Sequence, residues 1–376
     1  MVEVMLAQTA SRMISLKTLR LPLIALGGLS LIAAIWAGLV RMDWNLPVPN
    51  VSFPETHGPL MIVGFLGTVI GLERAVALKR TWAYGAPVFA VLSAIAQLSR
   101  LSVQWSQTFA VISSSFLLAI FCFLWWLQHQ SYLVVVGLGA VQWLVGNLLW
   151  LGDYPYFVVA GWWVGFLVLT IAGERLELSR LRRLSRGSRL LLYFAIAVFA
   201  FGLSRMSVSE PGSRVAGGGL IAVALWLLRW DIAWRTIRVA GLSRFMAASL
   251  LSGYCWLLAA GILWIIYAED FIAGLHYDAM LHSIFLGFVL VMIFAHAPII
   301  LPSVTAVSMP FQNSFYAHLI LLHLSLLLRI YGDLVEWPSA RMWGGLLNGL
   351  AIVLFLANNV RAVIIGRKGA RSGGER

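Results

Sequence analysis

The chain has 376 residues, of which 61% are hydrophobic and only 11% charged, far below the roughly 25% charged residues of a soluble globular domain. Its net charge of +12 would suit nucleic acid only if the basic residues formed a soluble face. Here Lys and Arg stand in short gaps between apolar runs, where they report membrane topology instead, so a soluble enzyme and a nucleic-acid binder are excluded and the lipid bilayer is the first partner.

Runs long enough to cross about 30 Å of hydrocarbon at about 1.5 Å per residue fall near 21–40, 58–78, 84–101, 107–127, 131–151, 154–173, 188–206, 213–230, 245–267, 278–299, 313–334 and 342–364. The expected fold is an all-α membrane protein of about 12 transmembrane helices, forming a single polytopic domain over 1–376. The first run has no small-residue cleavage pattern after it and reads as a retained helix, not a signal peptide. Cys122 and Cys255 lie inside apolar runs without CxxC spacing and read as small buried hydrophobes. The 17 tryptophans, Trp125-Trp126 and Trp162-Trp163 among them, read as interfacial belts.

An even number of spans places both termini on one side. That side receives the cluster Arg175, Arg180, Arg182, Arg183, Arg186 and Arg189, whereas the other side holds only Arg41, Arg100, Arg205, Arg214 and Arg341. Most acids, including Asp43, Glu55, Asp153, Glu210, Glu269, Asp270, Asp333 and Glu336, fall with the second group. The positive-inside rule then makes both termini cytoplasmic in a cell inner membrane.

The second span reads Val63-Gly64-Phe65-Leu66 and then Ile70, Glu73, Arg74; the sixth reads Val164-Gly165-Phe166-Leu167 and then Ile171, Glu174, Arg175 at the same spacing. The tenth gives a weaker copy, Gly287-Phe288 and Ile293, with His296 in the glutamate position. Each copy is second in a set of four, so the chain divides into pseudo-repeats near 1–128, 129–240 and 241–376. The expected arrangement is a pseudo-threefold bundle with spans two, six and ten inside.

Topology sorts the seven histidines by depth. His57, His276 and His282 lie toward the outer face with Arg329; His296 and His318 lie toward the inner face with Glu73 and Glu174; His129 sits in a cytoplasmic turn. On an ideal helix His282 and His296 point within about 40° of each other but stand about 21 Å apart, too far to share one metal. Ionisable groups at membrane depth are functional candidates by default. Imidazoles from two helices suit six-coordinate haem iron, and also copper. His57 and His282 are therefore the candidate haem b pair, with Arg329 placed to neutralise propionates. His296, His318, Glu73 and Glu174 form a candidate metal or proton-relay set. The Glu73-Arg74 and Glu174-Arg175 neighbours read equally well as interfacial pairs whose side chains snorkel.

With these residues in view, the chain resembles NnrS, a family of haem- and copper-containing membrane proteins of the bacterial nitric oxide response. That family opens a span with Trp-His-x-His-Glu-Met followed by Gly-Phe, and His57-Gly-Pro-Leu-Met61-Ile-Val-Gly64-Phe65 sets His57 on the first histidine. Pro59 and Leu60 replace the second histidine and the glutamate. His282-Ser-Ile-Phe-Leu-Gly287 follows a later His signature, Leu327-Leu328-Arg329 a Leu-Leu-Arg, and Arg20-Leu-Pro22 is similar to an N-terminal Arg-Pro motif. The resemblance implies a haem-binding protein of a bacterial inner membrane with a role in the nitric oxide response or redox handling, and copper as a second metal. The layout also looks like subunit I of haem-copper oxidases, but no His-His pair stands in a seventh span. From the residues alone, a secondary transporter or metal permease using the Glu/His set is the alternative.

Overall fold

The computed structural model describes residues 2–99, 101–182, 184–206 and 210–373, with side chains over 18–368 of that set apart from 181 and 210. Arg100 and Arg183 lie outside the described residues. Among the described residues the regular secondary structure is all helical, without strands. Twelve helices are long and apolar enough to cross a membrane: α1 (Thr18–Arg41), α2 (Phe53–Leu78), α3 (Thr81–Leu98), α4 (Val103–Gln128), α5 (Ser131–Leu151), α6 (Tyr156–Leu178), α7 (Arg186–Met206), α8 (Pro211–Trp230), α9 (Leu242–Ile266), α10 (Leu275–Thr305), α11 (Phe315–Leu334) and α12 (Pro338–Lys368). They coincide with the twelve apolar runs, and the protein is a multi-pass membrane protein.

The chain forms two compact units. One comprises Met1–Phe123 with Ile300–Val307, the other Leu124–Ile299 with Ser308–Arg376. In lipid there is no hydrophobic drive to pair apolar helices, so close packing and interhelical hydrogen bonds must hold them. The three most buried membrane windows belong to α6 (72%), α10 (67%) and α2 (61%), the same spans that share the glycine register.

Those glycines explain the burial. A Cβ on Gly64 would come within 2.1 Å of Ser30 Oγ and 2.9 Å of Ala94 Cβ. On Gly165 it would meet Leu203 at 2.7 Å, and on Gly287 the Trp256 ring at 2.4 Å. Elsewhere in the second unit, backbone approaches backbone: a Cβ at Gly202 would stand 2.2 Å from Ala216 N, and at Gly219 2.4 Å from Phe199 Cα.

α2 and α10 are not α-helical throughout. Each contains an eight-residue π segment, Leu60–Gly67 and Ser283–Leu290, whereas α6 is regular along its whole length. A π turn widens the helix and leaves carbonyls without their usual partner. In the first unit the Ser30 hydroxyl donates to Leu60 O at 2.9 Å, and the Thr68 hydroxyl donates to Gly64 O at 2.7 Å. Cys122 and Cys255 are exposed on the helix surfaces, not buried as the sequence implied, because an apolar run in a membrane does not say which face meets lipid.

Gly64→Ala should lower stability by about 1–3 kcal/mol, the cost of overpacking a tight interface, with added loss from displacing the Ser30 hydroxyl. Gly28→Ala, where a Cβ meets nothing within 4 Å, should be near neutral. Thermal unfolding of the two variants in the same detergent checks the contrast.

Candidate functional site

In the first unit, His57 stands one turn into α2, and its Nδ1 lies 2.7 Å from Ala34 O on α1. A carbonyl only accepts, so Nδ1 carries the hydrogen and Nε2 is the lone-pair nitrogen. Gly38 makes the seat: a Cβ there would stand 2.8 Å from His57 Nδ1. In the second unit, His282 is held in the same tautomer by Asp278, through its backbone O at 3.0 Å and Oδ1 at 3.3 Å. Each histidine leads within three residues into the π segment of its span.

Asp278 also receives Arg329 in a two-pronged grip, Nε to Oδ2 at 2.8 Å and Nη2 to Oδ1 at 2.9 Å. Arg341 Nη2 stands 3.8 Å from the same carboxylate, and its Nε lies 3.0 Å from Asp333 Oδ1. Asp333 is fully buried. The guanidinium of Arg329, the expected partner of haem propionates, forms a bidentate pair with Asp278 through its planar fork.

At the other end of α10, His296 Nδ1 donates to Met292 O at 2.7 Å, and its Nε2 accepts from Arg175 Nη2 at 3.0 Å. A guanidinium on that nitrogen keeps a metal cation away. Glu174 and Asp231 both act electrostatically on this imidazole. His318, on α11, accepts from the Asn358 amide through Nδ1 at 3.1 Å. Its ring is walled by Phe294, Phe355 and Phe315 at 4.7, 5.4 and 5.7 Å. Glu73, in the first unit, lies 3.7 Å from its neighbour Arg74. Among the described residues no three His, Cys, Asp or Glu side chains gather into a group that could hold a metal ion. The set His296, His318, Glu73 and Glu174 is thus not assembled as one metal centre.

The remaining histidines have local partners: His323 accepts from Trp256 Nε1 at 2.9 Å, His276 pairs with Asp270 at 2.7 Å, and His129 packs on Trp125. The Glu-Arg motifs part company. Arg74 keeps to Glu73, whereas Arg175, read as a snorkelling residue, is only 4% exposed and turns to His296. Asp278 as the orienting group of His282 was legible from their four-residue spacing, which places both on one face of a helix. Nothing in the sequence marks Asp231 or Tyr254 as neighbours of Arg175.

Haem fits the donor chemistry of His57 and His282, because ligating imidazoles characteristically donate their other N–H to a carbonyl or carboxylate. A family model described as a domain of unknown function (DUF8744) matches residues 20–364. No curated protein matches the chain.

Asp278→Ala strands the Arg329 guanidinium in a buried site and should cost about 3–5 kcal/mol, as breaking one side of a buried pair does. Asp278→Ala combined with Arg329→Met should recover much of that loss. A double-mutant cycle from denaturant unfolding measures it.

Proposed function

The chain belongs to the DUF8744 family, and on that premise we propose that it is a haem b-binding protein of the bacterial inner membrane, acting in the nitric oxide response or in redox handling as its resemblance to NnrS implies. The observation that carries the reading is the matched presentation of His57 and His282. Each has Nδ1 tied to a backbone carbonyl and a π segment directly after it, a feature frequent at functional sites. His57 and His282 are the residues whose imidazoles would hold haem iron. The group would supply a redox-active iron. Asp278 fixes the tautomer of His282, and Gly38 clears space for the His57 ring. Arg329, paired with Asp278, is kept in the proposal as the group that would neutralise propionates, and with Pro59 and Leu60 in place of a histidine and a glutamate, copper is left out of it.

We further infer cytoplasmic termini, on the strength of the Arg175–Arg189 cluster, and a pseudo-threefold origin of the three four-helix sets. The burial of α2, α6 and α10 and their equivalent close-packed glycines support the second inference. α6 has neither a histidine nor a π segment, so in this scheme it is the copy without a haem ligand.

The full chain purified from haem-replete cells should show a Soret band, and His57→Ala and His282→Ala should each shift it and weaken haem retention by roughly tenfold or more, on the scale of losing a strong ligand bond. No Soret band, either as purified or after haem reconstitution, overturns the proposal. Substrate flux in proteoliposomes without any chromophore would put a transporter in its place.

A further inference from the structure

The arginines around the α6–α7 and α8–α9 connections of the second unit divide into two groups. Arg175 is spent on His296, Arg180 on Gln130 Oε1 at 2.8 Å and on the Tyr132 ring at 4.7 Å, and Arg182 on the backbone carbonyls of Arg229 and Asp231 at 3.3 and 3.1 Å. The second group is turned outward. Arg186 and Arg189 at the start of α7, Arg229 at the end of α8, Arg235 and Arg238 in the connection that follows, and Arg244 in the first turn of α9 are all exposed. Among the described residues none of these six forms an ion pair with a carboxylate. Two acids lie close to them in sequence: Glu177, near the end of α6, is half-buried, and Asp231 is 2% exposed, its Oδ1 accepting the Ala233 N–H at 2.7 Å.

The fold gathers the six at one end of three neighbouring helices. α8 packs against both α7 and α9. Trp226 Nε1 donates to Ser188 O at 2.7 Å, which ties the end of α8 to the start of α7, and Arg182 holds the two connections together. Membrane topology calls for basic residues on one side of the bilayer, but not in one place: the connections at 129–130 and 306–314, on the same side by the count of spans, contain no Lys or Arg. Nor do the helices gain from them, because a cation at the start of α7 or α9 opposes the positive end of the helix dipole.

Next to the arginines the same helix faces turn apolar. Arg186, Leu190 and Phe194 follow at four-residue spacing on α7 and are exposed, as are Leu225 and Arg229 on α8; residues four apart share one face of a helix. Trp234, exposed beside Arg235, is the kind of amphipathic ring that settles at headgroup level. A surface that is cationic at the span ends and apolar along the spans matches a molecule with an anionic head and a hydrocarbon tail.

We infer that this end of α7, α8 and α9 is a binding surface for anionic phospholipid, with the six arginines on the phosphate groups and the acyl chains along the exposed faces of α7 and α8. A zwitterionic lipid offers the same tail without net charge, so the arginines select the headgroup. The surface is separate from the haem reading and stands without it.

The full chain in an uncharged detergent tests the surface, titrated with phosphatidylglycerol or phosphatidylcholine carrying the same acyl-chain fluorophore and followed by fluorescence anisotropy. Phosphatidylglycerol should bind more tightly by roughly tenfold or more, since each basic residue near the headgroups adds to the attraction. Arg186→Gln with Arg189→Gln, and separately Arg235→Gln with Arg238→Gln, should each remove most of that preference, whereas Lys79→Gln with Arg80→Gln, exposed residues of the α2–α3 connection, should keep it. Equal binding of the two lipids by the wild type overturns the proposal. So does an equal loss in the variant of Lys79 and Arg80, the mark of a general charge effect. Inorganic phosphate at millimolar concentration should leave the lipid bound, and its displacement by phosphate overturns the lipid assignment in favour of a free anion. Raising the ionic strength from about 0.1 M to about 1 M shortens the screening length from about 10 Å to about 3 Å and should abolish the wild-type preference; a preference unchanged by salt overturns the proposal without any variant.

Discussion

Hydrocarbon offers no hydrogen-bond partner, and this single constraint decides where almost every polar side chain of the protein sits. A guanidinium, an imidazole or an amide at membrane depth must be answered by a group on a neighbouring helix, so polar residues select the helix pairs and fix their registers. The α11–α12 hairpin shows it most plainly. Asp333 faces Arg341 at 3.0 Å, the Ser325 hydroxyl and Asn348 amide stand 2.7 Å apart, and Asn358 reaches His318 at 3.1 Å. These three rungs fall along the full length of both helices, with fully buried apolar residues such as Leu322 and Leu326 between them. Slipping one helix by a single residue would break all three.

The same requirement governs the backbone. A π segment frees carbonyls that a water-exposed helix would hand to solvent, and in lipid they must be met from within. Ser30 meets one of them, and it can do so only because Gly64 has no side chain to push α1 away. In α2, glycine, π turn and hydroxyl are therefore one device. In the second unit the equivalent glycine, Gly287, admits the Trp256 ring, whose N–H in turn supports His323.

The spans were legible because length and hydropathy alone define a helix that crosses a bilayer. The place of each histidine along its span followed from the same count. Partners were a different matter. His282 and His296 were projected onto one face by assuming 3.6 residues per turn, but eight residues between them are π-helical, and the projection does not carry across a wider turn. The Glu73-Arg74 and Glu174-Arg175 copies are alike in sequence and yet differ in space, since α10 brings a histidine to Arg175 and the pairing of α6 with α10 is a tertiary fact. Asp278 is the intermediate case: its spacing from His282 was visible, while its capture of Arg329 from α11 was not.

α10 shows how one residue type acquires two chemistries in such a setting. His282 and His296 each give Nδ1–H to the carbonyl four residues back, Asp278 O and Met292 O, so both rings are locked in one tautomer with Nε2 turned away from their own helix. What differs is the charge placed beside them. A carboxylate leans on the N–H side of His282, which raises the donor strength of its Nε2 toward a metal. A guanidinium occupies Nε2 of His296 itself, which bars a metal. The two rings of α10 thus differ in which side of an identically held imidazole the neighbouring charge approaches.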